Sequence, residues 1–296
     1  MYYLIYGLLY LVSLLPWRVL YFIGDCLYVL IYYILGYRRK VVKQNLEIAF
    51  PEKSVEERKI IEKKFYHNFI DTFIEAIKLL SISDKNFAKR FKADVSILNQ
   101  LYAEGKNVQL HGGHHFNWEM INYGISRIMQ SPLVVVYMPI ANDALERIFK
   151  KLRSRYGTIL VSATHFRNDF KEKVDGKQYT LALVADQSPG DPNHAYWLPF
   201  FGKLAPFVTG PEKGAKYHNT AVVFGTFSKV KRGYYTAELE LISTDPRSLP
   251  TGKLTRDFIS YLEEKIRQKP DNYLWSHRRW KWEYKDEYAK NRIDQQ

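Results

Sequence analysis

The chain has almost no cysteine. Cys26 is the only one in 296 residues, which excludes a disulfide framework and leaves the compartment reducing or indifferent to thiol chemistry. It lies in an apolar run with no activating base beside it and reads as filler. Acidic residues are scarce beside basic ones: Asp plus Glu total 31 against 44 Lys plus Arg, a formal net charge of +13. Such an excess points to an anionic partner, whether nucleic acid, an acidic carrier protein or a phospholipid surface, and does not choose among them. Signature motifs are missing too. No G-x-S-x-G elbow, Walker A or G-x-G-x-x-G occurs, so serine hydrolysis and nucleotide binding have no motif behind them. The apolar N-terminus lacks both the basic start and the small-residue cleavage site of a cleaved signal peptide.

What is present is a hydrophobic content of 46%, ample for a core and too high for a disordered tail. The first 36 residues carry only two charges, Arg18 and Asp25, and read as two short apolar helices broken at Leu15-Pro16. Neither half has the ~20 uninterrupted apolar residues of a simple transmembrane span. Tyr2, Tyr3, Trp17 and the Tyr32-Tyr33 pair suit a membrane interface, and "YRRKVVK" from Tyr37 follows as a basic stop at the cytoplasmic face would. The expectation is a membrane anchor over 1–36, with a buried apolar hairpin as the alternative, followed by a single α/β domain over 37–296.

After the anchor, Ser54 with Glu57 three residues on predicts a capped helix, with Ile60, Ile61, Phe65, Phe69 and Phe73 along one stripe. From Val108 the runs "NVQL", "PLVVVYM", "TILVSA", "YTLALVA" and "TAVVFGTF" alternate with helical stretches, the pattern of an α/β domain with a buried sheet. Residues 186–214 hold five prolines and four glycines and read as an irregular functional loop.

The densest chemistry is "HGGHHFNWE", residues 111–119. A strand runs into His111 and a helix follows with Asn117 as its cap, so the nine residues form a strand-to-helix loop. With His114 on the loop and Glu119 in the first helical turn, the carboxylate could fold back and hold the imidazole, the arrangement of a general base. Helix-start N–H groups could support developing negative charge. A metal site on His111, His114 and His115 matches no zinc spacing, and histidines that only cap a turn are a further alternative.

These residues resemble the H-x4-D/E signature of glycerolipid acyltransferases, and "GHHFNWE" is similar to the G-H-x-G-N-W-E block of the lipid A late acyltransferases of the HtrB/MsbB type. "RRKVVKQNLEIAFPEKS", "VYMP" with "LRSRYG", "ADQSPG" with "LPFFGKLAPFVTGP", and "YLWSHRRWKW" fall in that family's order and cover most of the chain. The resemblance implies a glycerolipid-acyltransferase-like mixed sheet flanked by helices behind the apolar anchor. It also implies an inner-membrane enzyme, working at the cytoplasmic face without a metal or an acyl-enzyme. Such an enzyme moves a fatty acyl chain from acyl carrier protein, or acyl-CoA, to a hydroxyl of a membrane lipid. Carried over residue by residue, His114 is the base and Glu119 its orienting carboxylate. Asn117 and Trp118 shape the helix entry, Arg153 faces phosphate or thioester oxygens with Arg155 as a neighbour, and Asp186 and Gln187 shape the acceptor site. Thr209 and Gly210 match the small residues after the P-F-F-G turn. Phe116, Met138, Glu212 and Lys213 depart from the family's usual residues.

The segment "YLWSHRRWKWEY" interleaves Trp275, Trp280 and Trp282 with Arg278, Arg279 and Lys281. Taken alone it could stack single-stranded nucleic acid; beside an apolar N-terminus, the reading is a membrane interface with Arg278 and Arg279 on lipid phosphate and no nucleic acid. His277 is expected to contact the headgroup or cap a turn, and Asp186 could be an ordinary strand-end turn former. Two rivals stay open: a metal-dependent hydrolase using the histidine cluster with Asp186, and a non-catalytic binder using the tryptophan-rich tail.

Overall fold

The computed structural model describes residues 1–294. Helices α1 (Tyr2–Leu14) and α2 (Trp17–Val29) are separated where Leu15 turns extended ahead of Pro16, as the residue before proline favours. The second helix runs on through a π turn, Leu30–Ile34, so that Trp17–Ile34 forms 18 continuous residues. At 1.5 Å per residue this is about 27 Å, long and apolar enough to cross a membrane. It is one helix rather than the short piece the sequence suggested.

Helix α3 (Arg39–Ala49) leads to α4 (Val55–Lys78), which opens on the expected capping box: Ser54 Oγ accepts from Glu57 N at 3.2 Å, and Ser54 N donates to Glu57 Oε2 at 2.7 Å. Helix α2 packs on α4. It buries Leu20, Gly24 and Tyr28 there and leaves Phe22, Val29, Tyr33 and Ile34 exposed. Lys78 Nζ at the end of α4 donates to the carbonyls of Ser13 and Leu15, at 2.7 and 2.9 Å, and holds the α1–α2 corner. The apolar segment is therefore packed onto the domain on one face and bare on the other.

Beyond α4 come α5 (Asp84–Ala88), β1 (Phe91–Ala93), α6 (Ser96–Ala103), β2 (Val108–Gly112), α7 (Trp118–Ile128), β3 (Leu133–Tyr137), α8 (Asp143–Arg153), β4 (Ile159–Ser162), α9 (Phe166–Val174) and β5 (Thr180–Val184). A hairpin, β6 (Tyr196–Phe200) and β7 (Lys203–Phe207), precedes α10 (Gly210–His218), β8 (Ala221–Lys231), β9 (Tyr234–Ser243) and α11 (Lys253–Gln268). The main sheet has seven strands in the order β1-β9-β8-β2-β5-β3-β4, parallel except for the β8–β9 pair. Helices flank it, as the α/β expectation required. Strand β2, central and buried along its whole length, lies between β5 and β8. Its register pairs His111 with Leu183 and Gly112 with Val184, so the segments leaving β2 and β5 emerge side by side.

Residues 186–214 are not one irregular loop. Phe201 (φ 51°) and Gly202 (φ 75°) form a two-residue turn with both residues left-handed, the geometry that matches the twist of paired strands, and β6 and β7 close on it. The prolines that masked this hairpin are tolerated in a two-stranded ribbon, where each strand has a free edge.

Candidate active site

The loop from β2 to α7 and the loop after β5 meet at the C-terminal end of the sheet, the usual place for ligands in open parallel sheets. Two residues past each strand, His114 Nδ1 lies 2.6 Å from Asp186 Oδ1. The imidazole is 25% exposed and the carboxylate 1%. Burial pushes the Asp186 carboxyl up, but the facing His114 charge and hydrogen bond outweigh it and hold the group well below the usual carboxylate range. An ionised Asp186 accepts from Nδ1–H, which leaves Nε2 as the acceptor of the ring.

Glu119, expected in that role, points elsewhere. It stands in the first turn of α7 and faces α8, where Arg153 grips it: Nε donates to both oxygens at 3.1 Å, and Nη2 to Oε1 at 2.6 Å. Five residues along the chain, part of them helical, turn its side chain away from His114. Arg153 is correspondingly not a bare cation awaiting substrate; the fork-on-carboxylate geometry is among the strongest hydrogen-bond arrangements available.

The loop is held from the C-terminal side. Leu274 N donates to His114 O and Phe116 N to Asn272 O, both at 3.0 Å, and His115 and Tyr273 form an isolated bridge between them. Gly113 is demanded by packing, since a Cβ there would lie 2.4 Å from Leu262 Cδ1. His111 and His115 are buried, and loss of hydration pushes both down to about 4. His111 Nε2 meets the Gln109 side chain at 2.9 Å. Both are neutral core residues, and His114 alone of the three reaches solvent. Among the described residues no three His, Cys, Asp or Glu side chains are grouped to hold a metal ion.

Asn117 was expected at the helix entry and is there. Its Oδ1 accepts from Met120 N at 3.3 Å and its Nδ2 donates to Glu75 Oε2 at 3.1 Å. Fully buried with both ends of its amide engaged, it has nothing to offer a substrate. Trp118 is half-buried against the core, near Phe116. Arg155 turns away from the site: Nη1 donates to Leu79 O at 3.3 Å and the guanidinium lies over Tyr123. Gln187 is half-buried next to Asp186. Thr209 holds the cap position of α10 without capping it, and Gly210 is its exposed first residue.

The tryptophan-rich segment is largely interior, which corrects its reading as a membrane-facing patch. Trp275 and Arg279 are 1% exposed. Trp275 Nε1 donates to Pro270 O, Trp282 Nε1 to Pro189 O, and Arg279 Nη2 to Pro206 O with its guanidinium 3.9 Å over Phe207. Two of the three tryptophans thus find carbonyls for their N–H groups inside the protein, while Trp280 Nε1 and Arg279 Nε are buried without a partner. Arg279 is thus a packed residue; Arg278 beside it is exposed.

Spacing gave no sign of three further contacts. Asn45 donates to the carbonyls of Trp275 and His277, both at 2.7 Å, across more than 200 residues. His277, pushed down to about 4 by burial and by Arg279, accepts from Ser188 N at 3.1 Å and ties the tail to the Asp186 loop. Two departures from the family pattern also find a reason. Phe116 fills a pocket with Phe65 and Phe69. Glu212 receives Gly252 N, Thr255 N and Thr255 Oγ1 at 2.6, 3.1 and 2.7 Å, capping the start of α11 from another element.

Residues 1–282 match the family described as bacterial lipid A biosynthesis acyltransferase. The chain is 26% identical over 287 residues to the lipid A biosynthesis lauroyltransferase of Escherichia coli K12, covering 93% of this chain and 89% of that one. It is 23% identical over 281 residues to the lipid A biosynthesis palmitoleoyltransferase of the same organism, with the same coverage. A lipid A biosynthesis acyltransferase of Shigella flexneri is equally similar, at 23% over 281 residues. The chain therefore belongs to the bacterial lipid A biosynthesis acyltransferase family and is an acyltransferase.

Proposed function

We propose that the protein moves a fatty acyl chain from an acyl thioester to a hydroxyl of a lipid A precursor, with His114 as general base and Asp186 as the carboxylate that holds it. The observation that carries this reading is the 2.6 Å His114–Asp186 hydrogen bond at a partly exposed loop. Acyl carrier protein is the donor in this proposal, or acyl-CoA in its place; the +13 charge suits an acidic carrier and an anionic lipid alike. The place of work is the cytoplasmic face of the inner membrane, with the apolar helix α2 as anchor.

In the mechanism, the acceptor hydroxyl gives its proton to His114 Nε2 as its oxygen forms a bond to the thioester carbonyl carbon. Asp186 keeps the ring in the productive tautomer and stabilises the imidazolium. The tetrahedral intermediate collapses with cleavage of the C–S bond, and the leaving sulfur takes the proton back from Nε2. Developing charge on the carbonyl oxygen meets the N–H groups of Trp118 and Glu119, which the start of α7 leaves without intrahelical partners once Asn117 has taken Met120 N. Arg153, expected at that oxygen, has Nε and Nη2 on Glu119 and acts instead by fixing the start of α7. Arg278, exposed and with its carbonyl against Ser188 two residues past Asp186, supplies a cation for headgroup phosphate.

The test is mass spectrometry of total membrane lipids from a deletion strain carrying either the wild-type gene or His114→Ala. Loss of one acyl chain from lipid A in the deletion, restored by wild type and not by His114→Ala, is the expected result. Restoration by His114→Ala sinks the assignment of the base.

A further inference from the structure

Glu75, in the last turn of α4, is fully buried and makes no salt bridge among the described residues. Its two oxygens receive donors from two distant parts of the chain. Tyr21 Oη on α2 donates to Oε1 and Asn117 Nδ2 donates to Oε2, each at 3.1 Å. Asn117 in turn caps α7 through Met120 N and stands three residues after His114. One carboxylate thus joins the apolar helix to the loop that carries the base.

We infer that Glu75 is a positioning residue that couples the seating of α2 on the domain to the geometry of the His114 loop. This rests on the reading of His114 as the base.

The rest of the α2 contact is built to make that link stiff. Arg232, just past β8, donates to Asp25 on α2 at 2.7 Å, to Asp71 on α4 at 2.8 Å and to the Tyr21 carbonyl at 3.3 Å. Lys229 closes the set on Asp71 at 2.7 Å. A shift of α2 along its axis pulls Tyr21 from Glu75 and leaves a buried acceptor half-satisfied, which neutral packing would not punish. Burial and the Asp71 charge push the Glu75 carboxyl up to about 7, against the Lys229 charge and the Tyr235 and Asn117 side chains.

A residue buried only for packing would not care about the polarity of the Asn117 contact, and that difference gives the test. Asn117→Asp keeps the cap on Met120 N but sets a carboxylate against Glu75. The expected outcome is amide hydrogen exchange across residues 113–120 about tenfold faster, with kcat for acyl transfer down by about tenfold or more and KM little changed. Adding Glu75→Gln reverses the polarity of the contact, since the Gln amide donates to Asp, and should restore both readouts. Tyr21→Phe removes only the hydroxyl on α2, more than 90 residues from the loop in sequence, and should also quicken exchange at 113–120. Normal exchange at 113–120 in Tyr21→Phe, or no rescue of Asn117→Asp by Glu75→Gln, overturns the coupling. Exchange is read without substrate, so a wild-type protein that moves no acyl chain would count against the proposed reaction and leave the exchange result to decide this link.

Discussion

Two carboxylates flank the His114 loop, and they came to it by different routes. Glu119 is five residues away along the chain and bonds to Arg153 on the next helix; Asp186 is 72 residues away and bonds to the imidazole. Sequence nearness brought Glu119 to the loop but turned its side chain along the helix face, whereas the parallel register of β2 and β5 placed Asp186 directly opposite. A motif spacing names residues that cooperate at a site without saying which pair touches.

The largest effect is expected at the base itself. His114→Ala should lower kcat by about 10⁴-fold with normal folding, read in an assay with acyl carrier protein thioester and a lipid A precursor. Asp186→Asn should follow with about 10³-fold, because an amide in place of an anion loosens the tautomer and no longer stabilises the imidazolium. Equal effects from Glu119→Gln and Asp186→Asn would erase the distinction drawn between them. The expected result for Glu119→Gln is instead a stability loss of about 2–3 kcal/mol by denaturant unfolding. That is below the usual cost of breaking a buried pair, since Arg153 keeps some contact with solvent. Its kcat should stay within about tenfold of wild type.

A finer test uses pH. Glu75 is pushed up to about 7 from 4.5 by burial and by Asp71, against Lys229 and the Asn117 and Tyr235 side chains. A raised carboxyl binds its proton more tightly folded than unfolded, so its contribution is complete below about pH 4.5 and lost as pH rises through about 7. Glu75→Gln should remove that slope, up to about 3 kcal/mol between the two ends by the usual conversion of pKa units, and a wild-type slope in the mutant would refute the assignment. Asp186 runs the other way: held below the ordinary carboxylate range, it gives stability above that range that is lost only in strong acid. The smallest effect expected is Glu212→Ala, about 1–2 kcal/mol of stability from uncapping α11 and little change in kcat.

Much of the scaffold was legible because local rules governed it. The Ser54–Glu57 box, the Asn117 cap, the Pro16 break and the five apolar strands all follow from patterns a few residues long. Strands β1 and β9 carry charge or lie at the sheet's far side, and the β6–β7 hairpin hid behind prolines, so pattern reading passed over them. At the site, the loop and its histidine were visible, but the carboxylate partner depends on strand register. The tail misled for a physical reason: interleaved Trp and Arg suit an interface and an interior equally, and only the carbonyls that meet Trp275, Trp282 and Arg279 decide between them. Asn45 and Glu75 left no trace because each acts across a long stretch of chain.

The bridge between His114–Phe116 and Asn272–Leu274 also sets an order of events during synthesis. The apolar helices leave the ribosome first, β2 must wait for β8 to complete its ladder, and the loop gains its last two backbone bonds only once the chain has been made to Leu274. Contacts so far apart in sequence form late. The loop that carries His114 therefore stays without its two clamping backbone bonds until residues more than 150 positions further along the chain have been made.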